Sequence, residues 1–226
     1  MHTLANSAFC AAVSLALFSS PTEAATTPGN VPAVFGTAVI AAHATPYDGR
    51  WSKVQSQGLA AGARIAFKAR NLHGVERLRF VNRAVNAAIE YRTDTSDSWA
   101  SASESFSRGA GDCEDYAIAK MQVLRAAGVT ASDLFLVIGR DLAARADHAM
   151  LIVRAENTYW VLDNFYNEVR ADSAYRDFRP VITLSNRGSW LHGYKAGTQV
   201  MGAPAGSFRE STSGSFAAII AAQNGR

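Results

Sequence analysis

The chain has 226 residues, 48% of them hydrophobic and 18% charged, with a formal net charge of +3. That length suits one domain with a sizeable core, or two small ones, and the composition excludes a disordered or fibrous protein. The charge is mild and the Lys and Arg residues are dispersed, which argues against a nucleic-acid backbone as partner.

Phe9 to Phe18 is a short apolar run, too short to span a bilayer. Ser19-Ser20-Pro21 follows, then Thr22-Glu23-Ala24, with small residues at the two positions a signal peptidase reads. Residues 1–24 therefore read as a secretory signal peptide, although no Lys or Arg precedes the apolar run. No later segment approaches 18 consecutive apolar residues, so the mature protein is expected to be soluble and exported, in the periplasm. Cys10 lies inside the signal, which leaves Cys113 as the one mature cysteine. A lone thiol forms no internal disulfide and no thiolate-rich zinc site. Its role is either buried packing or chemistry.

Residues 25–200 read as one domain and 201–226 as a flexible or weakly docked tail. Residues 25 to 50 are rich in Ala, Thr, Pro and Gly, with Val39-Ile40 as the apolar centre of a short strand or turn. Trp51, Val54, Leu59, Ala63 and Phe67 suit a helix to about Arg70, weakened by Gly58 and Gly62. Leu78, Val81, Val85, Ala88 and Ile89 form one stripe of a clearer helix, Val75 to Tyr91. Arg92 to Ser107 is polar and reads as a long loop into Gly109-Ala110-Gly111. From Asp112, the residues Tyr116, Ile118, Ala119, Met121, Val123 and Leu124 suit a largely buried central helix that stops at Gly128. Four short runs follow with strand character: Leu134 to Ile138, Ala149 to Val153, Tyr159 to Leu162 and Val181 to Leu184. Helices followed by an antiparallel meander predict an α+β fold. After Gly202 the tail holds one apolar patch, residues 216–222, suited to a frayed or docked helix.

Chemistry concentrates in Gly111-Asp112-Cys113-Glu114-Asp115-Tyr116-Ala117. Cys113 sits in the first turn of its helix, where unpaired backbone N–H groups favour a thiolate and can stabilise an oxyanion. The carboxylates of Asp112, Glu114 and Asp115 oppose that ionisation. They are either helix-capping groups or, turned away from the thiol, ligands for a hard cation such as calcium.

A cysteine nucleophile needs a base with an orienting partner. Of the five histidines, His148 is the one that begins a predicted strand. A two-residue turn at Glu156-Asn157 sets Ala155 opposite Thr158, hence Met150 opposite Asp163 and His148 opposite Phe165. His148 and Asp163 then share a sheet face as diagonal neighbours, whereas a one-residue slip would separate them.

The motif at 111–117, followed by Ile118-Ala119-Lys120 and Leu124-Arg125, resembles the bacterial transglutaminase-like cysteine proteinases. Further matches are Val81-Asn82, Val85-Asn86, Ile89-Glu90-Tyr91, Trp99, His148-Ala149-Met150, Val161-Leu162-Asp163-Asn164, Arg179-Pro180-Val181 and Ser189-Trp190-Leu191. The resemblance spans roughly residues 75 to 192. It implies a papain-like, transglutaminase-like core, the catalytic triad Cys113, His148 and Asp163, and a calcium site at Asp112, Glu114 and Asp115. LapG-type members of that family cut large surface adhesins under control of a membrane receptor that senses cyclic-di-GMP, and those partners are carried over as expectations. Trp99 has two readings: an indole N–H donor to the oxyanion, or a loop anchor packed into the core. Hydrolysis of a peptide bond through an acyl-enzyme leads. Protein cross-linking or deamidation through the same intermediate, and a non-catalytic binding module, are the alternatives.

Overall fold

The computed structural model describes residues 32–94 and 98–193. The signal peptide read at 1–24, the tail at 201–226 and its apolar patch at 216–222 lie outside the described residues. Within them no helix is long and apolar enough to cross a membrane.

Seven strands form one antiparallel sheet. They are β1 (Ala38–Ala42), β4 (Leu134–Asp141), β5 (Ala146–Ala155), β6 (Thr158–Leu162), β7 (Arg170–Ala171), β8 (Phe178–Ser185) and β9 (Gly188–Gly193), in the spatial order β1-β9-β8-β4-β5-β6-β7. The four predicted strands form its centre, and the short strand expected near Val39-Ile40 becomes its edge. Alternation along β4 and β5 sorts side chains onto two faces. Leu134, Leu136, Leu151 and Val153 join the main core with the helices, while Phe135, Val137, Met150 and Ile152 form a second cluster with Val34 and Phe178. The β5–β6 turn is as tight as expected. Glu156 and Asn157 both have positive φ, 53° and 59°, and Ala155 pairs with Thr158.

The helical half departs from the sequence reading in three places. The helix expected from Trp51 to about Arg70 is two helices, α1 (Asp48–Gln55) and α2 (Ala63–Ala69). Gly62 between them adopts φ +86° with the Phe106 ring pressed on its Cα, where a Cβ would clash. Helix α3 (Gly74–Ala88) stops short of Tyr91 because Ile89 turns extended and Glu90–Tyr91 (β2) pairs in parallel with Ala110–Gly111 (β3). Its buried stripe, Leu78, Val81 and Val85, contributes about 1.5–3 kcal/mol per side chain.

The third departure is a correction to the long loop. Residues Ala102–Arg108 form helix α4, started by a capping box. Ser101 Oγ accepts the Glu104 N–H at 3.3 Å, and Glu104 Oε2 accepts the Ser101 N–H at 2.7 Å. The Ser-x-x-Glu signature of that cap stands in the sequence, masked by the polar composition around it.

Helix α5 (Cys113–Ala126) is central, and every residue from Asp115 to Leu124 is buried. It packs on α2, α3, α4, β4 and β5. Gly128 ends it at φ +94°. There the Gly128 and Val129 N–H groups reach the Arg125 and Leu124 carbonyls at 3.0 and 2.9 Å.

Candidate active site

Cys113 is the first residue of α5, with extended Asp112 as its N-cap, and the thiol is partly buried. The β2–β3 pair ties the segment before Asp112 to the end of α3, so the helix head is held from both sides. Gly111 is a steric necessity, because a Cβ there would stand 2.7 Å from Asp115 Cβ.

The β5–β6 register brings His148 and Asp163 together. The ladder closes at Leu151–Leu162, and just beyond it His148 Nε2 lies 3.0 Å from Asp163 Oδ1. Both side chains are buried, at 4% and 2% exposure. Phe165, the residue set opposite His148, stacks on the imidazole at a centroid distance of 4.9 Å and donates its N–H to Asp163 Oδ1 at 3.0 Å. With Nε2 on Asp163, Nδ1 is the nitrogen left to act as a base. On the same strand, the backbone N–H of Ala149 is the one group that works against the upward push on the Cys113 thiol. The other described histidines are placed otherwise. His43 and His73 are exposed. His192 is held between Thr37 Oγ1 and Thr183 Oγ1, at 2.6 Å on each side, and burial holds it down to about 4.

The acids around the thiol behave as their crowding dictates. Burial pushes the Cys113 thiol up, and Glu114 adds to this through its charge and through a contact of 3.1 Å from Sγ to Oε2. Burial, then the charge of Asp112, pushes Glu114 up to about 7. Asp112 is raised by burial and by the neighbouring Asp94, and its Oδ1 is buried with no hydrogen-bond partner among the described residues.

A profile of the bacterial transglutaminase-like cysteine proteinases matches residues 45–191. The chain belongs to that family. It is a cysteine peptidase with a transglutaminase-like α+β fold, acting on a protein substrate. Among solved structures it is similar to LapG of Legionella pneumophila, at 27% identity over 60% of this chain and 90% of that one, with a TM-score of 0.46. The calcium-bound form of the same LapG is 25% identical over 71% and 97% of the two chains, with a TM-score of 0.45. No curated protein matches the chain.

In this proteinase the three acids of the motif have different positions. Both Asp115 oxygens already accept hydrogen bonds from the protein. Its Oδ1 accepts the Ala100 N–H at 2.7 Å and its Oδ2 accepts Arg108 at 2.9 Å, so both oxygens tie α5 to α4 and the segment before it. Asp112 and Glu114 keep the hard, mutually repelling oxygens that suit calcium, with Asp94 alongside. Among the described residues no three His, Cys, Asp or Glu side chains are grouped as a metal cage. Trp99 is 4% exposed and stacks on Tyr47 at 5.4 Å between ring centroids, a core-packing position.

Asn82 and Asn86, matched in the sequence without a role, support the strand end carrying Asp163. Asn86 Nδ2 donates to the Asp163 carbonyl at 3.1 Å and to the Tyr166 carbonyl at 3.2 Å, and Asn82 Nδ2 reaches the latter at 2.8 Å. The Tyr116 hydroxyl donates to the Ile89 carbonyl and fastens α5 to the end of α3. The signal for the asparagines was their place, four residues apart, on the α3 face that also carries Val81 and Val85.

Proposed function

We propose that the peptidase hydrolyses peptide bonds through a Cys113–His148–Asp163 triad and an acyl-enzyme. The observation that carries this reading is the buried His148–Asp163 hydrogen bond, one residue before Ala149, whose backbone N–H favours the Cys113 thiolate. His148 Nδ1 takes the Cys113 proton, and the sulfur bonds to the scissile carbonyl carbon, moving its π electrons onto oxygen. Collapse of that intermediate breaks the C–N bond, and the imidazolium gives its proton to the leaving amine. Water, deprotonated by the same imidazole, then attacks the thioester and releases the acid and the thiol. Asp163 holds the ring in the tautomer that leaves Nδ1 free and offsets the imidazolium charge. The backbone N–H groups at the head of α5 are the supported oxyanion donors. The stacking of Trp99 on Tyr47 favours its packing role.

Calcium is the proposed cofactor, held by Asp112 and Glu114. The support is the unpartnered Asp112 oxygen and the like charges that raise both acids. A bound divalent cation supplies positive charge that offsets the carboxylates opposing Cys113 ionisation. The wider reading rests on family resemblance. It has the enzyme exported to the periplasm by residues 1–24, cutting a large surface adhesin, and restrained by a cyclic-di-GMP-sensing membrane receptor.

The test is cleavage of a purified adhesin N-terminal region by wild type, Cys113→Ala and His148→Ala. Loss of cleavage in both variants is expected, and cleavage by Cys113→Ala would sink the mechanism. An added primary amine should not enter the product, since its incorporation would make the enzyme a transferase.

A further inference from the structure

The His148 imidazole has two aromatic neighbours, one inside the protein and one at its surface. Phe178 of β8 stands edge-on to it at 6.4 Å between centroids and is 4% exposed, as a packing side chain should be. Phe165 stacks on it at 4.9 Å, with 25° between the planes, and is 56% exposed. Tyr91 leans on Phe165 in turn, at 5.8 Å and 47°, and is 48% exposed. The two rings arrive from different parts of the fold. Tyr91 ends β2 and pairs with Gly111, two residues before Cys113, while Phe165 lies two residues beyond Asp163, past the end of β6. One apolar surface thus runs from the segment that leads into the nucleophile across to the base. Ile40 on β1 and Phe67 on α2 are also exposed, and single apolar side chains at a surface are ordinary. Two large rings left in water while packed on each other and on the base mark a binding surface. Tyr166 differs from them, because the Arg170 guanidinium lies over its ring at 4.9 Å.

We propose that Phe165 and Tyr91 form the subsite for an apolar side chain on the amine side of the scissile bond, so that the preferred substrate is a protein segment with an aliphatic or aromatic residue among the first two after the cut. The inference rests on the proposed triad. His148 gives its proton to the leaving amine, so the chain that carries this amine passes beside the imidazole, and Phe165 is the exposed ring stacked on it. An apolar side chain laid on the two rings takes their faces out of water, and little order has to be added because the rings are already packed together. Glycine at the same place leaves them wet. Phe165 also packs on the base, whereas Tyr91 packs on Phe165, so Tyr91 is the residue that separates recognition from chemistry.

The test changes the first two residues after the cut in the adhesin N-terminal region, located by fragment mass, to Leu-Leu or to Gly-Gly. kcat/KM for both substrates is measured with wild type, Tyr91→Phe and Tyr91→Ala in the full chain. Tyr91 is half-exposed and its strand pairing uses the backbone, so the variants keep the fold. Wild type and Tyr91→Phe should favour Leu-Leu about tenfold. Tyr91→Ala should lose about tenfold more on Leu-Leu than on Gly-Gly, which brings the ratio close to one. Equal losses on both substrates would make Tyr91 a packing residue and overturn the proposal, as would a wild-type ratio near one. A preference that follows the residues before the cut overturns it as well. Where the region is not cleaved, alkylation of Cys113 by N-benzyl iodoacetamide is compared with alkylation by iodoacetamide. The relative rate of the benzyl reagent should fall about fivefold in Tyr91→Ala, and an equal ratio in the two proteins overturns the proposal. Cleavage retained by Cys113→Ala would sink the triad, whereas a flat substrate ratio with Cys113→Ala inactive sinks the subsite alone.

Discussion

Asn86 donates its side-chain amide to the backbone carbonyl of Asp163, 3.1 Å away, so a helix sets the position of the acid that orients His148. Replacing Asn86 by Ala removes that bond and those to the Tyr166 carbonyl and the Asn167 side chain. The expected result is a loss of about 1–2 kcal/mol in denaturant unfolding and a fall in kcat of about tenfold with little change in KM. Unchanged kcat would mean that the β5–β6 turn alone holds the pair.

The triad predicts unequal losses. Cys113→Ala and His148→Ala should abolish cleavage, whereas Asp163→Asn keeps the shape of the site but favours the wrong imidazole tautomer and should cost about 10²–10⁴ in kcat. Steady-state kinetics with circular dichroism of each variant would decide this. Wild-type kinetics in Asp163→Asn would remove Asp163 from the mechanism.

Stability should vary with pH in a stated direction. Glu114 is pushed from an ordinary 4.5 up to about 7, and Asp115 from 3.8 up to about 6, by burial first in both cases. The folded chain therefore holds protons between pH 4 and 7 that the unfolded chain has released. Stability from these groups is full below about pH 4 and is lost as pH rises through 6 to 7. Lys120 has the opposite sign: its value falls from 10.5 to about 7, so its contribution to stability rises with pH above 7. Calcium-free protein should have a stability minimum near neutral pH in thermal melts across pH 4 to 10. A maximum there would contradict these shifts.

Calcium should reverse the acidic limb of that profile. Binding needs ionised Asp112 and Glu114, so the gain in Tm should grow from pH 5 to 7.5. Glu114→Gln should abolish the gain. Asp115→Asn should keep most of it while destabilising the chain by about 2–4 kcal/mol, because Asp115 serves Ala100 and Arg108. A calcium response lost in Asp115→Asn and retained in Glu114→Gln would exchange the two roles.

Trp99→Phe should retain activity within a few-fold, since a phenylalanine ring can keep the stack on Tyr47. A loss of about a hundredfold would instead reinstate the indole as an oxyanion donor.

Much of this site is written in local order along the chain. The place of Cys113 at a helix head after Gly111 and the Glu156-Asn157 turn that pairs His148 with Asp163 both depend on neighbours close in sequence. Local patterns specify turns, caps and register, and the Ser101–Glu104 cap was equally local, hidden only by its polar surroundings. Tertiary structure alone decided the rest. Which oxygens Asp115 spends, that Trp99 packs on Tyr47 and that Asn86 reaches Asp163 are contacts between distant segments. No residue type announces such a partner, because burial and charge neighbourhood exist only once the helices have closed on the sheet. The sequence by itself thus determined the reactive groups and their register, and the fold decided their electrostatic surroundings.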